Sequence, residues 1–266
     1  MVAGRPTRKV VPPAVVLTIA GDRPLRVVWE NEIGGLTFEV GSGDDRQFVK
    51  WLPPNQAWRL APEAERMRWA ASYVQVPEVI DGDHDADGAW LLTRGLPGDN
   101  AVSDRWTVNP EMAVRAVGAG LRQLHDRLPV GDCPFSWSAD DRIAEVGRRH
   151  RAGELDPSGW HPTHQHLTVE DALNIIDYPP RTDQLVVCHG DACAPNTLIA
   201  NDGTCSGHVD LGTLGVADRW ADLAIATWST EWNYGPGWEL TLLDAYGIDA
   251  DPERTRYYRL LWDLGP

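Results

Sequence analysis

The chain has 266 residues, four cysteines and a formal net charge of −15. This charge argues against nucleic acid as a partner, since phosphates would be repelled, and it suits a small polycationic molecule. No apolar run approaches the ~20 residues that cross a bilayer, and the N-terminus lacks the apolar stretch of a secretory signal. We therefore expect a cytoplasmic protein with free thiols, no membrane contact, and a monomeric or weakly dimeric state.

The first part of the chain predicts a small antiparallel sheet. Short apolar runs alternate with Gly/Asp turns, and a strong hairpin signal stands at residues 41–45. The predicted strands are 14–20, 25–29, 36–40, 47–52, 76–80 and 89–93, and the spacing of apolar residues predicts one helix over 60–73. The sequence Gly-Leu-Pro-Gly at 95–98 interrupts the pattern, so we place a domain boundary there.

The rest of the chain is predicted to be mainly helical. The clearest helix covers residues 109–128, with Asn109 as candidate N-cap and Pro110 at the first helical position. Further helices are expected at 168–176, 218–231, 236–246 and 252–264. The predicted fold class is therefore α+β with two lobes. Residues 1–95 form the sheet-rich lobe and residues 96–266 the larger helical lobe.

The densest group of candidate functional residues lies between residues 185 and 215. An apolar strand leads into His189-Gly190-Asp191, Asn196 follows five residues after the aspartate, and a second strand leads into Asp210-Leu211-Gly212. Phosphoryl transfer from a nucleotide needs one carboxylate to meet the acceptor hydroxyl, and an amide oxygen and a second carboxylate to hold magnesium. We therefore predict a kinase-type site, with Asp191 as catalytic base and Asn196 and Asp210 as Mg²⁺ ligands.

The first lobe carries a candidate phosphate-binding lysine. Lys50 is one of only two lysines in the chain and lies within an apolar run. We expect its ammonium to contact the nucleotide phosphates and to pair with Glu63 or Glu65 of the following helix, only one of which can face it. Gly34-Gly35 is the candidate loop over the phosphates, although it matches neither a P-loop nor the G-x-G-x-x-G of protein kinases.

Four histidines have no predicted role in the chemistry. His161, His164 and His166 lie close together in sequence, but no cysteine or carboxylate completes a tetrahedral metal-ligand spacing, so we expect surface histidines. His125, near the end of the long helix, is expected to be a hydrogen-bonded core residue.

With these residues in place, the chain resembles the aminoglycoside O-phosphotransferase family, in the branch that modifies the 3′- or 3″-hydroxyl. The resemblance covers nearly the whole length. It is strongest over 185–222, in Val-Val-Cys-His-Gly-Asp-Ala-Cys-Ala-Pro-Asn and Val-Ala-Asp-Arg-Trp-Ala-Asp-Leu-Ala. It implies a protein-kinase-like fold, with ATP, or alternatively GTP, as phosphoryl donor.

The resemblance also assigns individual residues of the nucleotide site. It selects Glu63 as the partner of Lys50, because the helix matches a family segment in which the pairing glutamate precedes a tryptophan by six residues. It places Phe48 near the adenine. It places the hinge that hydrogen-bonds the base at Thr93 to Leu96.

The substrate half departs from the family. Thr213 stands where members often have an arginine, the acidic substrate loop is reduced to Glu154 and Asp156, and the C-terminal ending keeps one acid, Asp263. In the family the acidic groups of this loop and of the C-terminal ending bind the amines of the sugar substrate. We expect Glu154, Asp156, Glu231 and Asp263 to attract a cationic substrate here.

The sequence therefore predicts an ATP- and Mg²⁺-dependent kinase that phosphorylates a hydroxyl of an aminoglycoside such as kanamycin or streptomycin, with drug inactivation as the outcome. Two alternatives stay open. One is a kinase of the same fold acting on another metabolite, such as an amino sugar, a choline-like amine or a macrolide. The other is a catalytically silent, kinase-like nucleotide-binding protein.

Overall fold

A computed structural model describes residues 4–31 and 33–265 of the chain. The described chain divides into two compact units. The first contains the residues up to Pro97 together with His208–Gly212, and the second contains Gly98–Gly207 and the residues from Thr213 onward. The sequence-based boundary after residue 95 stays a prediction.

The first unit is built on a five-stranded antiparallel sheet with the strand order β1-β2-β3-β5-β4. Its strands are β1 (Leu25–Glu30), β2 (Leu36–Val40), β3 (Gln47–Leu52), β4 (Val79–Asp85) and β5 (Gly88–Arg94). Two helices accompany the sheet, α1 (Ala14–Ala20) and α2 (Leu60–Ala70). Five of the six predicted strands and the predicted helix are thus present, with shifted ends.

The sixth predicted strand is wrong, because residues 14–20 form the helix α1. Val16 and Ala20, four residues apart, are both buried and belong to the apolar core of the sheet, together with Phe38 and Val49. A short apolar run does not distinguish a strand from a buried helix. Packing of one helical face onto the sheet outweighs the preference of the β-branched residues for a strand.

The second unit is mainly helical. Its helices are α3 (Asp104–Thr107), α4 (Pro110–Arg127), α5 (Ala139–Arg151), α6 (Val169–Ile176), α7 (Trp220–Tyr234), α8 (Glu239–Tyr246) and α9 (Pro252–Asp263). The five helices predicted here are confirmed within a few residues. Asn109 does not cap α4, however, because its side chain donates to the Arg105 carbonyl instead. Among the described residues, no helix combines the length and apolar character needed to span a membrane.

Short strands connect the helices and frame the predicted catalytic segment. They are β6 (Asp99–Asn100), β7 (Leu185–Cys188), β8 (Thr197–Ile199), β9 (Cys205–His208) and β10 (Gly215–Asp218). β7 pairs antiparallel with β10, and β6, β8 and β9 form a three-stranded sheet. The chain passes from the second unit to the first within β9 and returns after Gly212. Asp191 and Asn196 therefore belong to the second unit, and Asp210 belongs to the first.

Candidate active site

In the first unit, one ammonium group is held by two carboxylates. The Nζ atom of Lys50, on β3, lies 3.0 and 2.8 Å from the two carboxylate oxygens of Glu63 on α2. The same Nζ lies 2.6 Å from Oδ1 of Asp210. Glu65 is exposed on the other side of the helix. Glu63 is thus the glutamate that pairs with Lys50.

The charges of this group depend on one another. Burial disfavours the charge of Lys50, but Asp210 and Glu63 outweigh it and raise the pKa of Lys50 above its ordinary value. Burial raises the pKa of Glu63 to about 7, although the Lys50 ammonium acts in the opposite direction. Two carboxylates around one ammonium leave an excess of one negative charge when all three ionise. The group therefore suits a ligand that brings a cation together with an anion, as a metal–phosphate complex does.

Asp210 adopts an unusual backbone conformation. Its φ of 62° makes it the one residue other than glycine with a positive φ among residues 4–31 and 33–265. Such a conformation costs about 1–3 kcal/mol and persists where the surrounding structure enforces it. The strain is consistent with a residue held in place to present its carboxylate to Lys50.

The predicted adenine contacts lie together on β3 and β5. Phe48 pairs with Thr93 in the sheet register, and Thr93 is buried. The carbonyl of Leu96 accepts a hydrogen bond of 2.6 Å from the Arg46 guanidinium, which also lies 6.0 Å from the centre of the Phe48 ring. No sequence pattern indicated Arg46 at this position. It contacts both the aromatic ring and the hinge backbone.

Gly34 and Gly35 form a tight turn between β1 and β2. Gly34 has a φ of 82°, a conformation that favours glycine, and Gly35 donates to the Asn31 side chain at 2.6 Å. A Cβ at Gly35 would lie 2.7 Å from the amide nitrogen of Asn31 and against Leu52. Both glycines are therefore required by the turn itself. A role over the phosphates stays a prediction.

In the second unit, Asp191 and Asn196 contact each other directly. Asn196 donates its side-chain amide to the Asp191 carbonyl at 2.9 Å and to Asp191 Oδ2 at 3.0 Å. Because the nitrogen of the amide faces Asp191, the amide oxygen is directed to the opposite side. The pair thus presents a carboxylate of fixed rotamer and an amide oxygen, which is a donor type that Mg²⁺ accepts.

The backbone before Asp191 is anchored by a buried carboxylate that the sequence analysis did not single out. Asp222, on α7, accepts hydrogen bonds from the backbone N–H groups of His189 at 2.6 Å and Gly190 at 2.9 Å. It also accepts one from His125 Nε2 at 2.9 Å, and the other ring nitrogen of His125 contacts the Tyr246 hydroxyl. His125 is therefore a hydrogen-bonded core histidine, as predicted. An acid in the first turn of an otherwise apolar helix was the available signal for Asp222.

Asp222 stays ionised in the core. Burial alone would raise its pKa, but the hydrogen bonds and charge of His125, together with the Gly190 N–H, outweigh burial and hold the pKa below its ordinary value. A buried carboxylate with this many donors is satisfied. It therefore fixes the position of the loop that carries Asp191.

The four predicted substrate-binding acids lie in the second unit, but they are not equivalent. Glu154 pairs with the guanidinium groups of Arg148 at 3.3 Å and Arg149 at 3.7 Å. Asp156 is exposed and accepts a hydrogen bond from the Ser158 N–H at 2.9 Å. Both acids of the short loop are thus engaged within their own segment.

Asp263 and Glu231 lie near the histidines of the same unit. Oδ2 of Asp263 lies 2.5 Å from Nδ1 of His164 and accepts from the backbone N–H of His161 at 3.1 Å. Glu231, on α7, is exposed and close enough to influence the pKa of His161, which burial lowers. The prediction of surface histidines is wrong for His164, whose side chain is 13% exposed. It is drawn inward by the carboxylate at the end of α9.

Comparison with known proteins identifies the family. The model of the phosphotransferase enzyme family matches residues 30–258. The chain is 36% identical over 259 residues to an aminoglycoside 3′-phosphotransferase of Streptomyces ribosidificus, covering 88% of this chain and 93% of that protein. It is 33% identical to the streptomycin 3″-kinase of Streptomyces griseus, covering 87% and 88% of the two chains.

A solved structure extends the likeness to the fold. The aminoglycoside phosphotransferase of Streptomyces rimosus in complex with ADP and streptomycin matches with a TM-score of 0.74 at 26% identity, over 94% of this chain and 95% of that one. The predicted α+β, kinase-like fold is thereby confirmed. From its sequence and its fold alike, this chain belongs to the phosphotransferase enzyme family, among the aminoglycoside phosphotransferases.

Proposed function

We propose that this chain transfers the γ-phosphoryl group of ATP to a hydroxyl group of an aminoglycoside, at the 3′- or 3″-position. The observation that carries the chemistry is the Lys50 ammonium held by Glu63 and Asp210. The substrate class is supported by the relatives, which are named as aminoglycoside 3′-phosphotransferase and streptomycin 3″-kinase. The ADP bound to the Streptomyces rimosus enzyme supports ATP as the donor.

Lys50 is proposed to bind the phosphates of the nucleotide. Its raised pKa keeps the ammonium charged throughout the neutral range. Glu63 fixes its position through both carboxylate oxygens, so little orientational freedom is lost when a phosphate binds. Phe48, Thr93 and Leu96 are proposed to hold the adenine, with Gly34 and Gly35 in the turn over the phosphates.

Asp210 and Asn196 are proposed as ligands of Mg²⁺. Both offer hard oxygen atoms, from a carboxylate and from an amide whose nitrogen is already engaged by Asp191, and this donor set fits the preference of the ion. When bound, Mg²⁺ would neutralise negative charge on the phosphates.

Asp191 is proposed to orient the acceptor hydroxyl and to take its proton. As the new bond from the hydroxyl oxygen to the γ-phosphorus forms, the bond to the β,γ-bridging oxygen breaks and ADP leaves. The hydrogen bond from Asn196 fixes the rotamer of the Asp191 carboxylate, and Asp222 fixes the backbone in front of it. Catalysis then depends on positioning and on charge neutralisation.

The acids of the second unit are proposed to bind the amines of the substrate. Glu231 and Asp263 each lie near enough to His161 to raise its pKa, against the effect of burial. Glu154 and Asp156 contribute negative charge nearby in sequence, but their contacts with Arg148 and Ser158 limit how much of it reaches a ligand. We therefore expect Asp263 and Glu231 to matter more for substrate affinity than the short acidic loop.

Incubation with Mg-ATP and either kanamycin or streptomycin tests the function. Mass spectrometry should detect a gain of about 80 daltons, one phosphoryl group, on at least one of them. The Asp191→Asn protein is the matched control and should form product about 10²–10⁴ times more slowly. Macrolides and simple amino alcohols belong in the same panel. Product from these alone would favour a different metabolite kinase, and tight Mg-ATP binding without any product would favour a silent nucleotide-binding protein.

A further inference from the structure

His164 lies in the segment between α5 and α6, and its imidazole contacts a carboxylate at the end of α9. Nδ1 of His164 lies 2.5 Å from Oδ2 of Asp263. Both side chains are largely buried, with 13% and 11% of their surface exposed. A carboxylate can only accept a hydrogen bond, so Nδ1 carries the proton and donates it. This is a charge-assisted hydrogen bond of the strong kind.

The two oxygens of Asp263 differ in their surroundings. Oδ2 accepts from the backbone N–H of His161 at 3.1 Å in addition to His164. Oδ1 makes no hydrogen bond or ion pair within the part of the chain that the structure describes. His161 and His164 therefore saturate one oxygen and fix the rotamer, and the second oxygen keeps its capacity to accept.

The histidine itself is held by an aromatic cluster. The ring centre of Trp228, on α7, lies 4.4 Å from that of His161 and 5.7 Å from that of His164. The Arg259 guanidinium of α9 lies 5.3 Å from the Trp228 ring centre. The charged groups around these histidines are Asp263 and Arg259 on α9 and Glu231 on α7. Packing against Trp228 leaves the His164 imidazole little freedom to turn away from Asp263.

We propose that His164 is a positioning residue for the substrate. It holds Asp263 in the one orientation that leaves Oδ1 to accept an ammonium group of the aminoglycoside. The inference rests on the proposed function and adds to it a residue that determines how this chain recognises the cation.

Steady-state kinetics of His164→Ala, with the aminoglycoside and ATP varied in turn, tests the proposal. We expect the KM for the aminoglycoside to rise about tenfold, equivalent to about 1.4 kcal/mol. The KM for ATP and kcat should stay within about twofold, since the contact is the same in the ground state and the transition state. His166→Ala is the control, a nearby exposed histidine, and should leave all three constants unchanged.

Two further variants separate positioning from a merely structural role. The side-chain amide of His164→Asn can occupy the place of Nδ1 and should restore a normal KM, whereas the amide of His164→Gln reaches toward the place of Nε2 and should not. In an Asp263→Asn background, His164→Ala should have no additional effect. The Asn and Gln pair also decides the question if His164→Ala does not fold.

The outcomes distinguish this proposal from the proposed function. If the wild-type chain phosphorylates aminoglycosides but His164→Ala leaves their KM unchanged or lowers it, only the role of His164 is wrong. The role of His164 would also be wrong if His164→Asn and His164→Gln had the same KM for the aminoglycoside. The same holds if the effects of His164→Ala and Asp263→Asn on that KM were fully additive. If the wild-type chain phosphorylates no aminoglycoside, the proposed function fails and the inference fails with it.

Discussion

Replacement of Gly190 by alanine separates backbone strain from steric conflict beside Asp191, the proposed catalytic base. Gly190 has a φ of 85°, and a Cβ built there would press against the Thr213 carbonyl, with Thr213 Oγ1 at 2.6 Å. Gly247, at the end of α8, is a matched control, because its φ is 87° and nothing lies within 4 Å of a Cβ. Both substitutions incur the cost of a left-handed alanine, about 1–2 kcal/mol. Only Gly190→Ala adds overpacking, about 1–3 kcal/mol.

Thermal unfolding and kinetics measure the two effects. For a chain of this size, each kcal/mol lowers Tm by roughly 2–4 °C, so Gly190→Ala should unfold at a lower temperature than Gly247→Ala. Because Asp191 follows directly, displacement by about 1 Å should also lower kcat about 100-fold, whereas Gly247→Ala should leave kcat unchanged. Equal Tm values, or a normal kcat for Gly190→Ala, would show that the Gly190 backbone does not determine the position of Asp191.

Three further predictions concern the ionisable groups of the site. Asp191→Asn should lower kcat by about 10²–10⁴-fold while the KM values change little, because the proton acceptor is lost and the binding groups are kept. The steady-state rate of ADP release measures these constants. A near-normal kcat would contradict the role of Asp191 as proton acceptor. Burial raises the pKa of Glu63 to about 7, so protonation as pH falls through that value should weaken its pairing with Lys50 and raise the KM for ATP. The KM of Glu63→Gln should be raised at every pH and should lack this dependence; an identical pH profile for the two proteins would refute the role of Glu63. Asp222→Asn has one acceptor oxygen where the carboxylate has two, so a buried N–H loses its partner. The free energy of unfolding should fall by about 1–3 kcal/mol, and Tm and kcat should both fall. Unchanged values of both Tm and kcat would show that Asp222 does not anchor the loop.

The residues that we propose for the nucleotide chemistry could be identified from the sequence because they lie close together or in regular elements. The spacing of Asp191 and Asn196 lies within a single loop, and their contact needs no information from distant parts of the chain. Long helices such as α4 were also predictable, since their apolar residues recur at helical spacing and are buried. Short apolar runs carry less information, as the helix at 14–20 demonstrates.

Other features depend on segments far apart in the sequence. α5 was not predicted because most of its residues are charged or exposed and only Arg142 and Val146 are buried. Its sequence therefore lacks the apolar stripe that indicates a helix. His164 was predicted to be a surface residue because its partner, Asp263, is 99 residues away in the sequence. Asp222 holds the His189 and Gly190 backbone from a helix more than 30 residues further along. No local pattern indicates such contacts.

The sequence by itself determined the family and the kinase-like fold class, and it singled out the residues that we propose for phosphoryl transfer, because these depend on local spacing and on apolar periodicity. The tertiary structure shows Lys50 paired with Glu63, the glutamate that the resemblance selects. It alone decided which carboxylate holds the His189 and Gly190 backbone and which groups donate to Oδ2 of Asp263. The physical reason is that the charge state and the orientation of an ionisable side chain in a folded protein depend on the groups that it contacts. Burial makes each unpaired charge costly, so the fold brings together donors and acceptors that the chain keeps far apart.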